Sequence, residues 1–213
     1  MMHEEGLRRS AWATVFRPAV LDRVEQVVVV VLFTLLVGRV LSSHNPFAPV
    51  LMISEAAIAV FVLIRRPTTV ISESPWDWLL AILGTGASLL IVPGAPGPQL
   101  LVIPGVLLVL FGQSFQLWAK VMMNRSFGVA PANRGVKAGG PYRVVRHPMY
   151  AGYFTANIGL LMLMPSFFNF AVYLGCWSIQ LYRLLAEERL LSEDPAYQAL
   201  KARVRYRPIP GLY

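Results

Sequence analysis

The chain has 213 residues, of which 56% are hydrophobic and only 14% are charged. About a quarter of the residues in a soluble domain are charged, so this composition argues against a soluble globular protein. The net charge of +8 does not indicate nucleic-acid binding, because the basic residues lie between apolar blocks rather than along one basic face. The composition therefore predicts an integral membrane protein.

Four apolar segments follow one another along the chain, at about residues 24–41, 49–64, 76–92 and 100–122. A helix needs roughly 20 apolar residues to cross a bilayer, and these segments approach that length. No small-residue cleavage site follows a short apolar stretch near the N-terminus, so we expect the first segment to be a retained span.

A longer apolar stretch, residues 150–185, is interrupted by Met164, Pro165 and Ser166. Proline removes a backbone donor and ends a preceding helix, so this stretch predicts a helical hairpin. The sequence thus indicates an all-α polytopic membrane protein with about six transmembrane helices. We divide it into an N-terminal segment with two spans, residues 1–75, and a core, residues 76–213.

Charge in the loops indicates the orientation. The loops at 44–48 and 93–99 contain no Lys or Arg, whereas the other loops hold nearly all of them. The positive-inside rule then places both termini and the long loop after the fourth span in the cytoplasm, in a bacterial inner membrane or its equivalent. Within the spans, Arg39 and Glu55 are predicted to pair, because ionisable groups in hydrocarbon need partners.

Two polar clusters flank the hairpin, one at residues 139–152 and one at residues 183–210. His147 lies 18 residues before Pro165 and Glu187 lies 22 residues after it, so helical arms of similar rise should bring both clusters to the same membrane face. Arg183 and Glu187 are four residues apart and share one helix face. Such a site suits a ligand with its own carboxylate, ammonium and hydroxyl groups, as S-adenosyl-L-methionine has.

No metal site is predicted, because Cys176 is the only cysteine and no ligand spacing involves the histidines. The partners expected instead are membrane lipids and a lipophilic small-molecule or lipid substrate. Nothing in the sequence indicates an oligomeric state.

In its last half the chain resembles the isoprenylcysteine carboxyl methyltransferase and phospholipid methyltransferase superfamily. The resemblance covers about residues 113–212. It rests on residues 140–143 (GPYR), 146–152 (RHPMYAG), Arg183 with Glu187 and Glu188, and residues 204–210 (VRYRPIP). One departure is Leu200, where relatives often have a second tyrosine three residues after Tyr197.

This resemblance implies a membrane methyltransferase that uses S-adenosyl-L-methionine bound in its cytoplasmic C-terminal part. The residues implied in cofactor binding are Tyr142, Arg146, His147, Pro148, Tyr150, Gly152, Glu187 and Glu188. Those implied at the methyl acceptor are Arg183, Glu187, Glu188, Arg205 and Arg207. The acceptor could be the carboxylate of an isoprenylcysteine-like molecule, which an arginine would position, or the amine of a phospholipid, which needs a base.

Two other functions stay open at this point. An NADPH-dependent sterol-reductase-like enzyme has a similar Arg-His motif, but its pattern usually has Asn and Asp where this chain has Met149 and Tyr153. A non-catalytic module that binds lipid or a partner through its basic loops would need neither His147 nor the two glutamates.

Overall fold

A computed structural model describes residues 18–44, 47–68, 70–92, 97–209 and 211. Within these ranges the chain forms seven α-helices, and its only β pairing is an isolated bridge between Ile71 and Ala132. The predicted all-α class is confirmed. The helices are α1 (Pro18–Leu41), α2 (Val50–Ile64), α3 (Pro75–Gly86), α4 (Gln99–Met123), α5 (Pro148–Leu163), α6 (Phe167–Leu191) and α7 (Pro195–Arg203).

Two of these helical segments, Pro18–Leu41 and Gln99–Ser126, are long and apolar enough to cross a membrane by length and composition. Helix α2 is apolar but shorter. The count of six spans and the cytoplasmic position of the termini stay predictions. Arg8, Arg9 and Arg17, on which the predicted orientation partly depends, lie outside the described residues.

Helices α4 and α5 approach each other through glycines. Gly105 and Gly112 on α4 face Gly152 and Gly159 on α5, and each pair is spaced by about two helical turns. A Cβ atom on Gly112 would lie 2.5 Å from the backbone nitrogen of Ala156, and one on Gly159 would lie 2.6 Å from the carbonyl oxygen of Gly105. Small residues therefore allow backbone contact, as is common between membrane helices.

The break predicted at Met164, Pro165 and Ser166 is confirmed, since α5 ends at Leu163 and α6 begins at Phe167. The buried Asn169 fixes this end of the hairpin. Its side-chain amide donates to the carbonyl of Val92 at 2.9 Å and its oxygen accepts from the Val92 amide at 3.0 Å.

At the opposite end of the hairpin, α7 and the residue that follows it pack through buried Tyr197, Leu200 and Val204. The segment after α7 then runs beside the start of α5: the Arg146 amide donates to the Tyr206 carbonyl at 2.9 Å, and the His147 amide donates to the Arg207 carbonyl at 3.2 Å. Leu200, the departure from the expected tyrosine, is a core residue that holds α7 in place.

Candidate active site

His147 stands immediately before α5, whose first residue is Pro148. Proline suits that position because the first helical residue needs no intrahelical N–H and its fixed φ matches the helix. Arg146 and His147 are both buried, and the backbone bonds to residues 206 and 207 hold them toward the end of α6.

Glu188, on the last turns of α6, contacts two arginines and a histidine. Its Oε1 accepts from Nε of Arg146 at 3.0 Å and from Nε2 of His147 at 3.1 Å, and it lies 3.0 Å from a terminal nitrogen of Arg146. Its Oε2 accepts from Nε of Arg207 at 2.9 Å. Oε1 thus has three donor atoms and Oε2 has one, and Glu188 is not among the residues that line the cavity described below.

Burial disfavours the charged form of Glu188, but the hydrogen bond and charge of His147, together with the charge of Arg146, outweigh it and hold the pKa of Glu188 well below its usual range. The ionised carboxylate accepts only, so Nε2 of His147 carries the proton in this contact. Arg146 also donates to the carbonyls of Val204 at 2.8 Å and Arg205 at 2.7 Å. This cluster therefore locks the C-terminal segment onto the hairpin.

Glu187 is arranged differently. One of its oxygens accepts from the Tyr150 hydroxyl at 2.5 Å, and the other lies 3.9 Å from Nδ1 of His147, too far for a hydrogen bond. Its side chain is 20% exposed, against 10% for Glu188. Glu187 therefore keeps an oxygen that can accept from a bound molecule.

Glu187 faces a cavity, here called the loop cavity, which lies between the long loop, α6 and α7. The lining includes the predicted residues Tyr142, Arg146, His147, Tyr150 and Glu187, together with Arg134, Lys137, Met149, Leu191, Tyr197 and Leu200. Lys137 was missed as a site residue, because in sequence it is only one of several basic residues in the loop.

Arg183 faces a second cavity, the helix cavity, which is lined by residues of α2 to α6 and of the loop after α4. Arg183 is buried and donates to the Val129 carbonyl at 2.8 Å. Gly84 on α3 makes room for it, since a Cβ atom there would lie 3.2 Å from a terminal nitrogen of Arg183. Although Arg183 and Glu187 share a helix face, they thus line neighbouring cavities.

The two cavities meet at Gly128, Met149 and Tyr150, which line both. The next residue, Val129, is held from two sides: its carbonyl accepts from Arg183, and its amide donates to Glu25 of α1 at 2.6 Å. Glu25 also pairs with Arg65 at the end of α2. The N-terminal helices therefore position the wall between the cavities.

The sequence did not identify this role of Glu25. The available signal was a carboxylate close to a predicted span, but its partners lie 40 and 104 positions away in the sequence.

Three other predicted residues stand apart from the cavities. Gly152 packs against α4, where a Cβ atom would lie 2.7 Å from Cβ of Gln116. The side chain of Arg205 is exposed, and its carbonyl is the part that contacts Arg146. Pro148 is buried at the start of α5.

The predicted pair of Arg39 and Glu55 is wrong. Arg39 is exposed near the end of α1, and no ion pair joins it to Glu55 in the described part of the chain. Glu55 lines the helix cavity instead, where the charges that act on it are those of Lys120 and Arg183.

Residues 105–193 match the isoprenylcysteine carboxyl methyltransferase (ICMT) family, whereas no curated protein matches the chain. The matched segment runs from α4 past the end of α6, so it contains Arg146, His147, Tyr150, Glu187 and Glu188 but not α1, α2 or α7. The resemblance found in the sequence is confirmed over residues 105–193, which match the ICMT family.

Proposed function

We propose that this protein transfers a methyl group from S-adenosyl-L-methionine to a lipophilic acceptor, with the methyl donor in the loop cavity. The observation that carries the proposal is that Glu187 and Lys137, two groups of opposite charge, line one cavity together with His147. That cavity adjoins a second one inside the helix bundle through Tyr150, Met149 and Gly128.

The loop cavity suits this donor chemically. Glu187 retains an oxygen for an ammonium or a ribose hydroxyl, and Lys137, whose side chain makes no hydrogen bond or ion pair within the described ranges, offers a cation for a carboxylate. Met149, Leu191 and Leu200 supply apolar contacts for a flat base. When bound, the sulfonium supplies an electrophilic methyl group.

Because the donor is already activated, the protein's own residues need mainly to orient both molecules and exclude water. Tyr150 fixes the direction of the Glu187 carboxylate through its hydroxyl. Arg146 and Glu188 attach the segment 204–207 beside His147. The acceptor would enter the helix cavity, whose walls are helices with apolar outer faces.

The test is methyl transfer from radiolabelled S-adenosyl-L-methionine into a total lipid extract by the purified full chain, followed by identification of the labelled product. We expect label in the lipid fraction, and we expect Glu187→Gln to reduce it. The matched control is Glu193→Gln, which makes the same change at an exposed position that lines neither cavity.

Binding measurements on the same protein separate the other two functions. Calorimetry should give a signal with S-adenosyl-L-methionine and none with NADPH. The reverse result would replace the proposal with a reductase, and silence toward both would indicate a binding module.

A further inference from the structure

The helix cavity contains a carboxylate that the methyl-donor site does not use. Glu55 of α2 lines this cavity, and in the described part of the chain it accepts no hydrogen bond and lies in no ion pair. It also lies outside the segment that matches the ICMT family. An ionised group enclosed by helices is costly unless something donates to it.

The cations that act on Glu55 are engaged elsewhere. The ammonium of Lys120, fully buried on α4, donates to the carbonyl of Ser54 at 3.2 Å, to the hydroxyl of Ser54 at 3.0 Å and to Gln116 at 3.1 Å. It also lies 5.0 Å from the centre of the Tyr153 ring. All three of its N–H donors are thus used, whereas Arg183 donates to the Val129 carbonyl and leaves its Nε without a partner among the described residues.

A hydroxyl group on the wall of the cavity also lacks a partner. Tyr173 of α6 is 5% exposed, and its hydroxyl makes no hydrogen bond within the residues described. It lines the same cavity as Glu55. Buried polar groups are nearly always hydrogen-bonded, so unpaired groups on the wall of one cavity indicate a polar ligand.

We propose that the helix cavity binds the head group of the methyl acceptor, that this head group is an amine, and that Glu55 accepts a hydrogen bond from its nitrogen. This inference rests on the proposed function for the methyl donor in the adjoining loop cavity. A carboxylate acceptor would bring a second negative charge toward Glu55, whereas an amine brings the donor that Glu55 lacks.

Glu55 can also serve as the base that an amine acceptor requires. A protonated amine has no free lone pair and must lose a proton before its nitrogen can act as a nucleophile. Glu55 can take that proton: the ammonium N–H bond breaks, an O–H bond forms on the carboxylate, and a neutral amine faces a neutral carboxylic acid.

The experiment compares two lipophilic acceptors with the full chain in detergent: hexadecylamine, and a prenylated cysteine whose nitrogen is acetylated so that only its carboxylate can react. Alkali separates the products, because a methyl ester releases labelled methanol and an N-methyl group does not. We expect label on hexadecylamine that resists alkali. Label predominantly on the cysteine carboxylate as an alkali-labile ester would overturn the inference.

Binding of radiolabelled hexadecylamine tests the residue itself. Since a hydrogen bond to a charged group is usually worth a factor of about ten to a hundred in affinity, Glu55→Gln should weaken amine binding by that factor. Glu55→Asp should retain part of the affinity, and Glu193→Gln should bind normally. Folding should survive, because glutamine keeps the size of Glu55 and no hydrogen bond to the carboxylate is lost.

The outcomes also distinguish this inference from the proposed function. Suppose that wild-type protein binds no S-adenosyl-L-methionine, and that Glu55→Gln binds hexadecylamine more weakly than wild type does. The methyltransferase proposal then fails, and the assignment of the helix cavity as an amine site stands. If Glu55→Gln binds hexadecylamine as tightly as wild type while S-adenosyl-L-methionine still binds, the amine inference fails alone.

Discussion

Glu187 and Glu188 are adjacent in sequence, but the structure predicts opposite consequences when each is changed to glutamine. Glu188 meets four donor atoms from Arg146, His147 and Arg207, and its side chain is 10% exposed. Removing one partner of a buried ion pair typically costs about 3–5 kcal/mol. Glutamine keeps one acceptor oxygen, so we expect Glu188→Gln to lower the free energy of unfolding by about 3 kcal/mol.

Glu187 has one protein donor, the Tyr150 hydroxyl, and faces the loop cavity. Glutamine can still accept that hydrogen bond, so we expect Glu187→Gln to change stability by less than about 1 kcal/mol. It loses the charge that would hold an ammonium, and a charge-assisted hydrogen bond is worth about 1.5–3 kcal/mol. The affinity for S-adenosyl-L-methionine should therefore fall roughly ten- to hundredfold.

Thermal unfolding in detergent and calorimetry of S-adenosyl-L-methionine binding measure the two effects on the same preparations. Glu193→Gln serves as the control for both. The reasoning is refuted if Glu187→Gln unfolds as early as Glu188→Gln, or if Glu188→Gln keeps wild-type stability and instead loses binding.

Three further predictions concern Glu188, Gly152 and Glu25. The pKa of Glu188 is depressed from its ordinary value of 4.5, so its stabilising effect is complete above about pH 4.5 and declines as the pH falls. Melting temperatures measured from pH 7 to pH 3 should therefore fall more steeply for wild type than for Glu188→Gln. Parallel curves would contradict this. Gly152→Ala should destabilise the protein by about 1–3 kcal/mol through overpacking against α4. The control Gly175→Ala should not, because a Cβ atom there meets nothing within 4 Å. A loss of cofactor affinity in Gly152→Ala at unchanged melting temperature would mean that the glycine contacts ligand. Glu25→Gln should increase hydrogen exchange at the amide of Val129, because a weaker acceptor replaces the carboxylate. Mass spectrometry of that loop measures the exchange. Unchanged exchange would show that Glu25 does not fix the position of Val129.

The sequence by itself determined the all-α class and the position of the break in the hairpin. The break at Met164, Pro165 and Ser166 follows from local backbone chemistry, because proline cannot continue the preceding helix. Counting residues from that break was enough to bring His147 to the level of Glu187 and Glu188, since the rise per residue of a helix is fixed. Motif order was enough for the family, because Arg146, His147 and the glutamates lie within the matched segment.

Only the tertiary structure decided which side chains contact one another. Helical spacing places Arg183 and Glu187 on one face, but it does not show that a loop residue, Val129, engages Arg183 and that Tyr150 engages Glu187. The same holds for Glu25 and Glu55, whose surroundings come from helices and loops far away in the sequence. Hydrogen bonds act over about 3 Å, and the packing of separate helices sets distances on that scale, which no local pattern encodes.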